Sequence, residues 1–411
     1  MTAPRTVVAL EHETVAVGDP ASGAPLTDAD ANALLAVNAR RPGICVRTVG
    51  GVRFAQYCGI VRLKSCVVEV LPKIGMAERV GDDDVARARA VLLRMLHGAR
   101  AVTIARVGDA AQRTARAPLL DVFIDAFLDA ALERARRGLL ARYVGRVDDL
   151  RVIRGRYLAR RDALRRIARP HLAHCEYDDF DADNPYNRAI RAALDACRDW
   201  IRQPSLQTRW LETFARYAGA APVPMRAGDV ARLPRDRTTR HYAPALRWCE
   251  LLLSLHSPAL ATGDTPTPAL LFDMNRLFES YVGRLERKNA GENEVVRTHG
   301  HRRALAVRGG EEAFALQPDV AVSHADPPDD VARIVDAKWK RLDPDARNWG
   351  VSRDDVHQML AYAVRYRCRR IELVYPEPDR ALRAAPPTFD IALGDEAAPV
   401  RVAVRTVPLW D

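Results

Sequence analysis

The sequence predicts an α+β protein in three parts. These are an N-terminal β-rich module (residues 1–84), a helical middle region (85–256) and, past a linker (257–271), a C-terminal α/β domain (272–411). Three observations carry this reading. A chain of 411 residues is longer than one ordinary core, since domains run to ~100–200 residues. The apolar period changes near Val85 from strand-like alternation to spacings of three and four. Finally, SPALATGDTPTPALL (257–271) gathers three prolines, a glycine and three threonines, the composition of a break between domains.

The elements follow in order. In VRTVGGVRFAQYCGIVRLKSCVVEVLPKIG (46–75), short Val/Ile/Tyr runs are broken at Gly50-Gly51 and Lys64-Ser65, as hairpin strands are. VARARAVLLRMLHGA (85–99) and LLDVFIDAFLDAALERARRGLLARYV (119–144) read as amphipathic helices, with Gly138 as an end or break in the second. Helical patterns continue through NRAIRAALDACRDWIRQ and RHYAPALRWCELLLSLH. After the linker a further helix, LLFDMNRLFESYVGRLERK, precedes two apolar runs of strand length, Leu316–Ser323 and Val331–Ala337. Pro327 and Pro328 forbid a continuing strand between those runs and place a turn there.

Composition limits the function. An apolar fraction of 48% with 28% charged residues is that of a globular protein, and no run of ~18 apolar residues offers a membrane span. Seven scattered cysteines, with no CxxC pair, fit a reducing, cytoplasmic setting better than a disulfide framework or zinc ribbon. The net charge is +10, and few of the 63 basic residues are lysine, so the surface is rich in arginine and attracts phosphate-bearing partners. There is no GxxxxGK[ST] phosphate loop and no GxSxG nucleophile elbow, so neither a nucleotide motor nor acyl transfer is expected.

The chemistry concentrates in QPDVAVSHADPPDDVARIVDAKWKRL (317–342). Folded as an antiparallel hairpin about Pro327, it brings Asp319 beside Asp336. Lys338, two residues further on, leaves the same face roughly 7 Å along the strand. Two carboxylates and a lysine at one end of a hairpin suit metal-dependent phosphodiester hydrolysis. The carboxylates would hold Mg²⁺, a hard cation needing few protein oxygens, and the lysine would orient water or stabilise the charged phosphorus.

The residues also carry a resemblance. PD, sixteen residues and DAK (Pro318-Asp319 to Asp336-Ala337-Lys338), followed by Gln358-x-x-x-Tyr362, resemble the PD-(D/E)xK nucleases of the RecB-like branch. Glu279 is similar in placement to that branch's additional metal-binding acid. LFDMNRLFESYV, the PD…DAKWK pair, QMLAYA, YCGIVRLKSCVVEVLPKIG, RRGLLARYV, IRGRYLARRDALRR and EYDDFDADNPYNRAIRAAL, in that family's order from about Ala55 to Tyr375, resemble the McrC family of the McrBC restriction systems. Cys58, where Val is common, and Trp339, where Tyr is common, are departures outside the expected site.

The resemblance implies a C-terminal PD-(D/E)xK restriction-endonuclease-like domain and Mg²⁺-dependent cleavage of double-stranded DNA bearing modified cytosine (5-methylcytosine). Asp319, Asp336 and Glu279 would be metal ligands, Lys338 the catalytic cation, and Gln358 and Tyr362 supporting residues. It further implies a hexameric AAA+ GTPase partner of the McrB kind, engaged by the N-terminal module, whose GTP hydrolysis the chain stimulates. Removing Asp336 is expected to abolish cleavage and spare assembly, on the view that it is a surface ligand. A non-cleaving activator of the GTPase ring and an autonomous Mg²⁺ nuclease are the rival readings.

Plainer readings compete at several positions. Asp319 after a proline suits a turn, and Lys338 suits an exposed strand edge. Glu279 borders the apolar stripe Met274, Leu277, Phe278, Tyr281 and Leu285, as a solvated helix residue also would. Gln358 and Tyr362 share a helix face and serve packing as well as contact with DNA. HLAHCEYDDFDAD (171–183) has metal-ligand residue types but fails the calcium-loop spacing, with Asn184 and Ile190 at positions six and twelve. Asn184-Pro185 there reads as a helix cap. His299 and His301 lack a third ligand nearby. The basic clusters at 136–142 and 159–166 are solvated helix faces or phosphate contacts.

Overall fold

The computed structural model describes residues 5–19, 22–73, 81–99, 116–162, 165–256, 267–325, 330–377, 385–393 and 398–409. The turn expected at Pro327-Pro328 and most of the 257–271 linker lie outside these residues. The fold is mixed α/β and divides into two compact units, one of Phe123–Pro258, the other of Pro4–Val122 together with Ala259–Asp411.

The second unit begins with β1 (Arg5–Leu10), β2 (Thr14–Ala16), β3 (Cys45–Thr48), β4 (Gly51–Phe54), β5 (Tyr57–Arg62) and β6 (Cys66–Leu71). The hairpin expected at Gly50-Gly51 is present, but its turn residues are Val49 and Gly50, and Gly51 pairs with Thr48. Gly51 is needed for closeness: a Cβ there would stand 2.0 Å from the Val15 carbonyl oxygen on β2. β1 pairs in parallel with β6, and β5 antiparallel with it. The helix Asp82–Gly98 follows within this unit. Its Arg89 reaches Glu69 on β6, Nη2 to Oε2 at 2.8 Å, with both side chains nearly excluded from solvent.

The other unit holds the helices Pro185–Cys197, Pro204–Arg216 and Ala243–Leu255 and most of Leu119–Arg136. Two expectations need correcting here. The helix read over 119–144 stops at Arg136, because Gly138 turns the chain at φ +89°, and Arg142 to Val144 open a strand. The middle is also not purely helical. β7 (Arg142–Leu150), β8 (Arg156–Tyr157) and β9 (Ala173–Asp181) form a three-stranded sheet in the order β7-β9-β8. The metal-like HLAHCEYDDFDAD is mostly β9, where His174 Nδ1 meets Asp149 Oδ1 at 2.7 Å. Tyr143 and Phe180 lie exposed on this sheet with ring centroids 5.1 Å apart. Asn184 caps the next helix, its side chain accepting from Tyr186 and Asn187 amides with Pro185 in the first turn.

The chain then returns to where it began. β10 (Ala269–Asp273) joins β5 and completes a sheet in the order β1-β6-β5-β10, so residues assigned to the linker's end are a strand of the N-terminal sheet. Asp273 ends that strand and caps the helix Met274–Asn289, accepting from Asn275 N at 3.0 Å. Beyond lie β11 (Glu294–Thr298), the β12–β13 pair (Arg303–Arg308, Glu311–Leu316), β14 (Val320–His324), β15 (Val331–Ala337), the helix Arg353–Tyr366, β16 (Arg370–Pro376), β17 (Thr388–Ile391) and β18 (Val400–Val407). Six of these strands form one sheet, ordered β11-β14-β15-β16-β18-β17. Its β15 and β16 run parallel, joined through the helix between them.

Alternation along β15 assigns the two sheet faces. Ile334 packs with Met359, Tyr362 and Tyr366 of the Arg353–Tyr366 helix. Arg333 points the other way, to Glu286 of the Met274–Asn289 helix, Nη1 to Oε2 at 2.9 Å. Glu286 also pairs with Arg405 of β18, and Glu372 of β16 joins both arginines at 3.1 Å. Glu286 is only 4% exposed, so losing it strands two arginines. Glu286→Ala is expected to cost about 3 kcal/mol, read as a lowered denaturant midpoint, with Glu286→Gln costing less.

Candidate active site

The β14–β15 hairpin is antiparallel with Val320 opposite Val335, which sets Asp319 across from Asp336 at the end of the pair. A register irregularity between Val322 and Ser323 lies toward the turn, away from the acids. Asp319 Oδ2 accepts from the amide of Ala337 at 2.8 Å, tying the first carboxylate to the strand that carries the second. Lys338 Nζ stands 2.5 Å from Asp336 Oδ2, and the Lys338 amide bonds the Val374 carbonyl on β16 at 2.8 Å. Asp336 is 1% exposed, so it is a buried group and not the surface residue expected. Its Oδ2, close as it is to the ammonium, has no well-angled hydrogen-bond donor among the described residues.

The Arg353–Tyr366 helix braces this end of the sheet. Lys338 Nζ donates to Gln358 Oε1 at 2.9 Å, and Gln358 Nε2 donates to Tyr362 Oη at 2.9 Å. Tyr362 in turn donates to the carbonyl of Gln317 at 3.1 Å, just before Pro318-Asp319. One helical turn therefore touches both halves of the hairpin. Ser352 starts the helix by accepting from Asp355 N, and Asp355 receives Lys340 Nζ at 2.9 Å.

Glu279 comes from a different helix. Its helix lies on the opposite face of the sheet, with Gly283 pressed near Thr298 and Val320, while Asp336 shares the face of Ile334. Glu279 meets the pair as a neighbouring charge, and among the described residues no three Asp, Glu, His or Cys side chains form a ready metal cluster. His299 and His301 act locally: the His299 amide bonds the Asp319 carbonyl at 2.7 Å, and His301 Nε2 lies 3.0 Å from Arg297.

Electrostatics single out the same spot. Burial, then the charges of Asp336 and Glu279, pushes the Asp319 carboxyl up to about 8. Burial also raises Asp336, although Lys338 pulls it back, and burial with the Asp336 charge raises Glu279. Burial disfavours the Lys338 ammonium, but the Asp336 carboxylate outweighs it and holds the lysine protonated. Packed acids with raised proton affinity recur at functional sites. A hard divalent cation accepting one or two carboxylates with water would neutralise such a pair.

Two site-bordering groups, Glu11 and Trp339, were given no role in the sequence reading, which named Trp339 only as a departure outside the site. Trp339 is an aromatic ring against Phe278, centroids 5.4 Å apart, and its indole donates to Glu11, 328 residues earlier. The only hint was local: a tryptophan between two lysines in an arginine-rich chain.

This geometry defines a two-acid, one-lysine site at the end of a mixed sheet, and sequence comparison assigns it a family. The family model for the McrBC 5-methylcytosine restriction system component matches residues 52–376, and the chain belongs to that family. No significant match occurs among curated proteins. Among solved structures, the half-complex of the tetradecameric Thermococcus gammatolerans assembly of McrB AAA+ hexamers with bound McrC is similar, with a TM-score of 0.72 at 16% identity over 98% of this chain and 94% of that one. The cryo-EM structure of the same organism's McrBC complex matches with a TM-score of 0.51 at 17% identity, over 70% of this chain and 89% of that one. At these identities the likeness is one of fold, and it agrees with recognition of the sequence as McrC-type. Among the described residues no helix is long and apolar enough to cross a membrane.

The raised acid gives a signed prediction. With its folded value above its ordinary 3.8, Asp319 binds a proton more tightly folded than unfolded, so its ionisation lowers stability as pH rises from about 4 to about 8. Asp319→Asn keeps an acceptor for the Ala337 amide and removes the charge. Without divalent metal, its melting temperature should match the wild type near pH 4 and exceed it by several degrees near pH 8, about 1–2 kcal/mol. Added Mg²⁺ should stabilise the wild type and not the variant. Equal melting curves at pH 8 would remove the buried-repulsion account.

Proposed function

We propose that this chain is the DNA endonuclease subunit of a modification-dependent (5-methylcytosine) restriction system. It hydrolyses phosphodiester bonds with Mg²⁺ when activated by a hexameric AAA+ GTPase partner of the McrB kind, whose GTP hydrolysis it stimulates. The observation that carries the reading is the apposition of Asp319 and Asp336 with Lys338 ion-paired to the second acid. Membership of the McrBC family and a fold like that of the McrB–McrC assembly support the setting.

The donor set fits the metal. Asp336 Oδ2 lacks a well-angled donor, and the paired acids resist ionising together, so both gain from a divalent cation. Asp319 and Asp336 would hold Mg²⁺, which when bound supplies an acidified water and screens charge on phosphorus. Glu279 is the expected further ligand, and from the opposite face of the sheet it suits an outer role through water. Lys338, protonated and fixed by Gln358, presents positive charge to the phosphate as the water oxygen bonds to phosphorus and the bridging P–O bond breaks. The leaving oxygen takes a proton and no covalent enzyme intermediate forms. Tyr362 keeps the segment before Asp319 in register.

Recognition of the modified base would then belong to the partner, because nothing in the sequence reads as a base-flipping pocket. The N-terminal module (1–84) is the expected partner contact, and the exposed Tyr143–Phe180 pair is a second apolar surface available to one.

The test is cleavage of methylated and unmethylated plasmid by the chain with Mg²⁺, with and without an AAA+ GTPase partner and GTP. Cutting should require the complete mixture and methylated DNA. Asp336→Asn should lower it at least ~10³-fold and Lys338→Gln about 10²–10³-fold, with GTPase stimulation kept in both. Stimulated GTP hydrolysis with no cutting by the wild-type chain would favour the activator reading, and cutting without the partner the autonomous nuclease.

A further inference from the structure

Glu11 directly follows β1 and is 3% exposed, yet its partners among the described residues are neutral donors. Trp339 Nε1–H is shared between its two oxygens at 3.1 and 3.2 Å, and the Lys73 amide donates to Oε1 at 3.1 Å. The Cys58 thiol lies 3.9 Å from Oε2. An acid is costly to bury with no opposite charge, and burial pushes the Glu11 carboxyl up to about 7. Such a residue keeps its place for what it holds.

It holds Trp339. β15 ends at Ala337, and beyond the Lys338 amide the ladder stops. The segment 338–340 is then fixed by side chains, Lys338 to Asp336 and Gln358, Trp339 to Glu11, and Lys340 to Asp355. Trp339 is the immediate neighbour of Lys338, and its ring packs at 58° on Phe278, the immediate neighbour of Glu279. A cavity of about 320 Å³ bordered by Glu11, Lys73, Trp339, Lys340 and Arg341 gives the indole room to turn if its acceptor is lost.

We infer that Glu11 is a positioning residue of the nuclease site: by fixing the Trp339 indole from the N-terminal sheet, it sets Lys338 and the Glu279 helix, and links the state of that sheet to cleavage. The functional half of this rests on the nuclease reading above. A partner that disturbs or tightens the end of β1 thereby acts on Lys338 without touching DNA.

The experiment uses the full chain carrying Glu11→Ala, Glu11→Gln, Trp339→Phe or the Glu11→Ala/Trp339→Phe pair, with melting curves as folding controls. In the complete cleavage mixture, Glu11→Ala and Trp339→Phe should each lower single-turnover cleavage about 10–100-fold, the usual cost of losing a group that orients site residues. The DNA concentration for half-maximal rate should not move. The double variant should lose no more than the worse single one, and Glu11→Gln, which still offers an acceptor, should recover most of the loss. In the chain alone, the indole N–H resonance absent from Trp339→Phe should shift upfield and exchange faster in Glu11→Ala. An unchanged indole resonance, additive losses, or wild-type cleavage by Glu11→Ala overturns the inference. If the wild-type chain cuts no DNA, the nuclease reading fails first and takes the positioning role with it.

Discussion

The register of β14 against β15 is the constraint on which the site depends. Side chains alternate along a strand, so a one-residue slip of Val320 from Val335 would turn Asp336 and Lys338 to the other face of the sheet. There they would meet the Arg–Glu network under the Met274–Asn289 helix in place of Gln358 and Tyr362. Three features hold the register. Asp319 accepts from the Ala337 amide, Tyr362 holds the Gln317 carbonyl, and Ile334 is locked in the apolar cluster beneath the Arg353–Tyr366 helix.

This precision is set against an electrostatic cost. Asp336 is buried and Asp319 partly so, both are raised in proton affinity, and they oppose each other across one strand pair. Lys338 offsets Asp336, and Asp319 is left with a raised proton affinity. On the other face of the sheet, the Glu286–Arg333–Glu372–Arg405 network balances its charges two against two. The contrast between the clusters is instructive. Balanced charge near Glu286 fastens a helix, whereas the crowded acids at the hairpin end would be relieved by a cation of the kind proposed.

How much of this was legible follows from where the signals lie. The hairpin could be read because its determinants are local: two apolar runs, a proline pair between them, and acids at matching distances from the turn. The brace was half legible, since Gln358 and Tyr362 stand one turn apart, but their partners Lys338 and Gln317 are fixed only by tertiary packing. The domain plan was misjudged at the linker because β10 pairs with β5, some two hundred residues earlier, and no local pattern records that. The β7–β9 ribbon hid because its strands are rich in charged residues, four in each, and so lack the apolar runs that mark a buried strand. Only five of the 63 basic residues are lysine, and two of these are Lys338 and Lys340. In a chain that otherwise chooses arginine, a retained lysine is a signal that composition alone could have supplied, because a compact ammonium and a forked guanidinium do different work.

The return of the chain through β10 gives the architecture its functional sense. Leu270 and Leu271 lie in the same sheet as β1, and Asp273 at the end of β10 caps the helix that carries Glu279. The N-terminal sheet is therefore built partly from the segment that launches the site's own helix, and it contacts the site again through Glu11 and Trp339. Two independent connections join one sheet to two sides of the same cluster, one through backbone and one through a hydrogen bond. A backbone connection transmits position rigidly, while a single indole bond beside a cavity can be made or broken for little energy. Of the two, the indole bond is where a signal from outside the site can be converted into a change of Lys338.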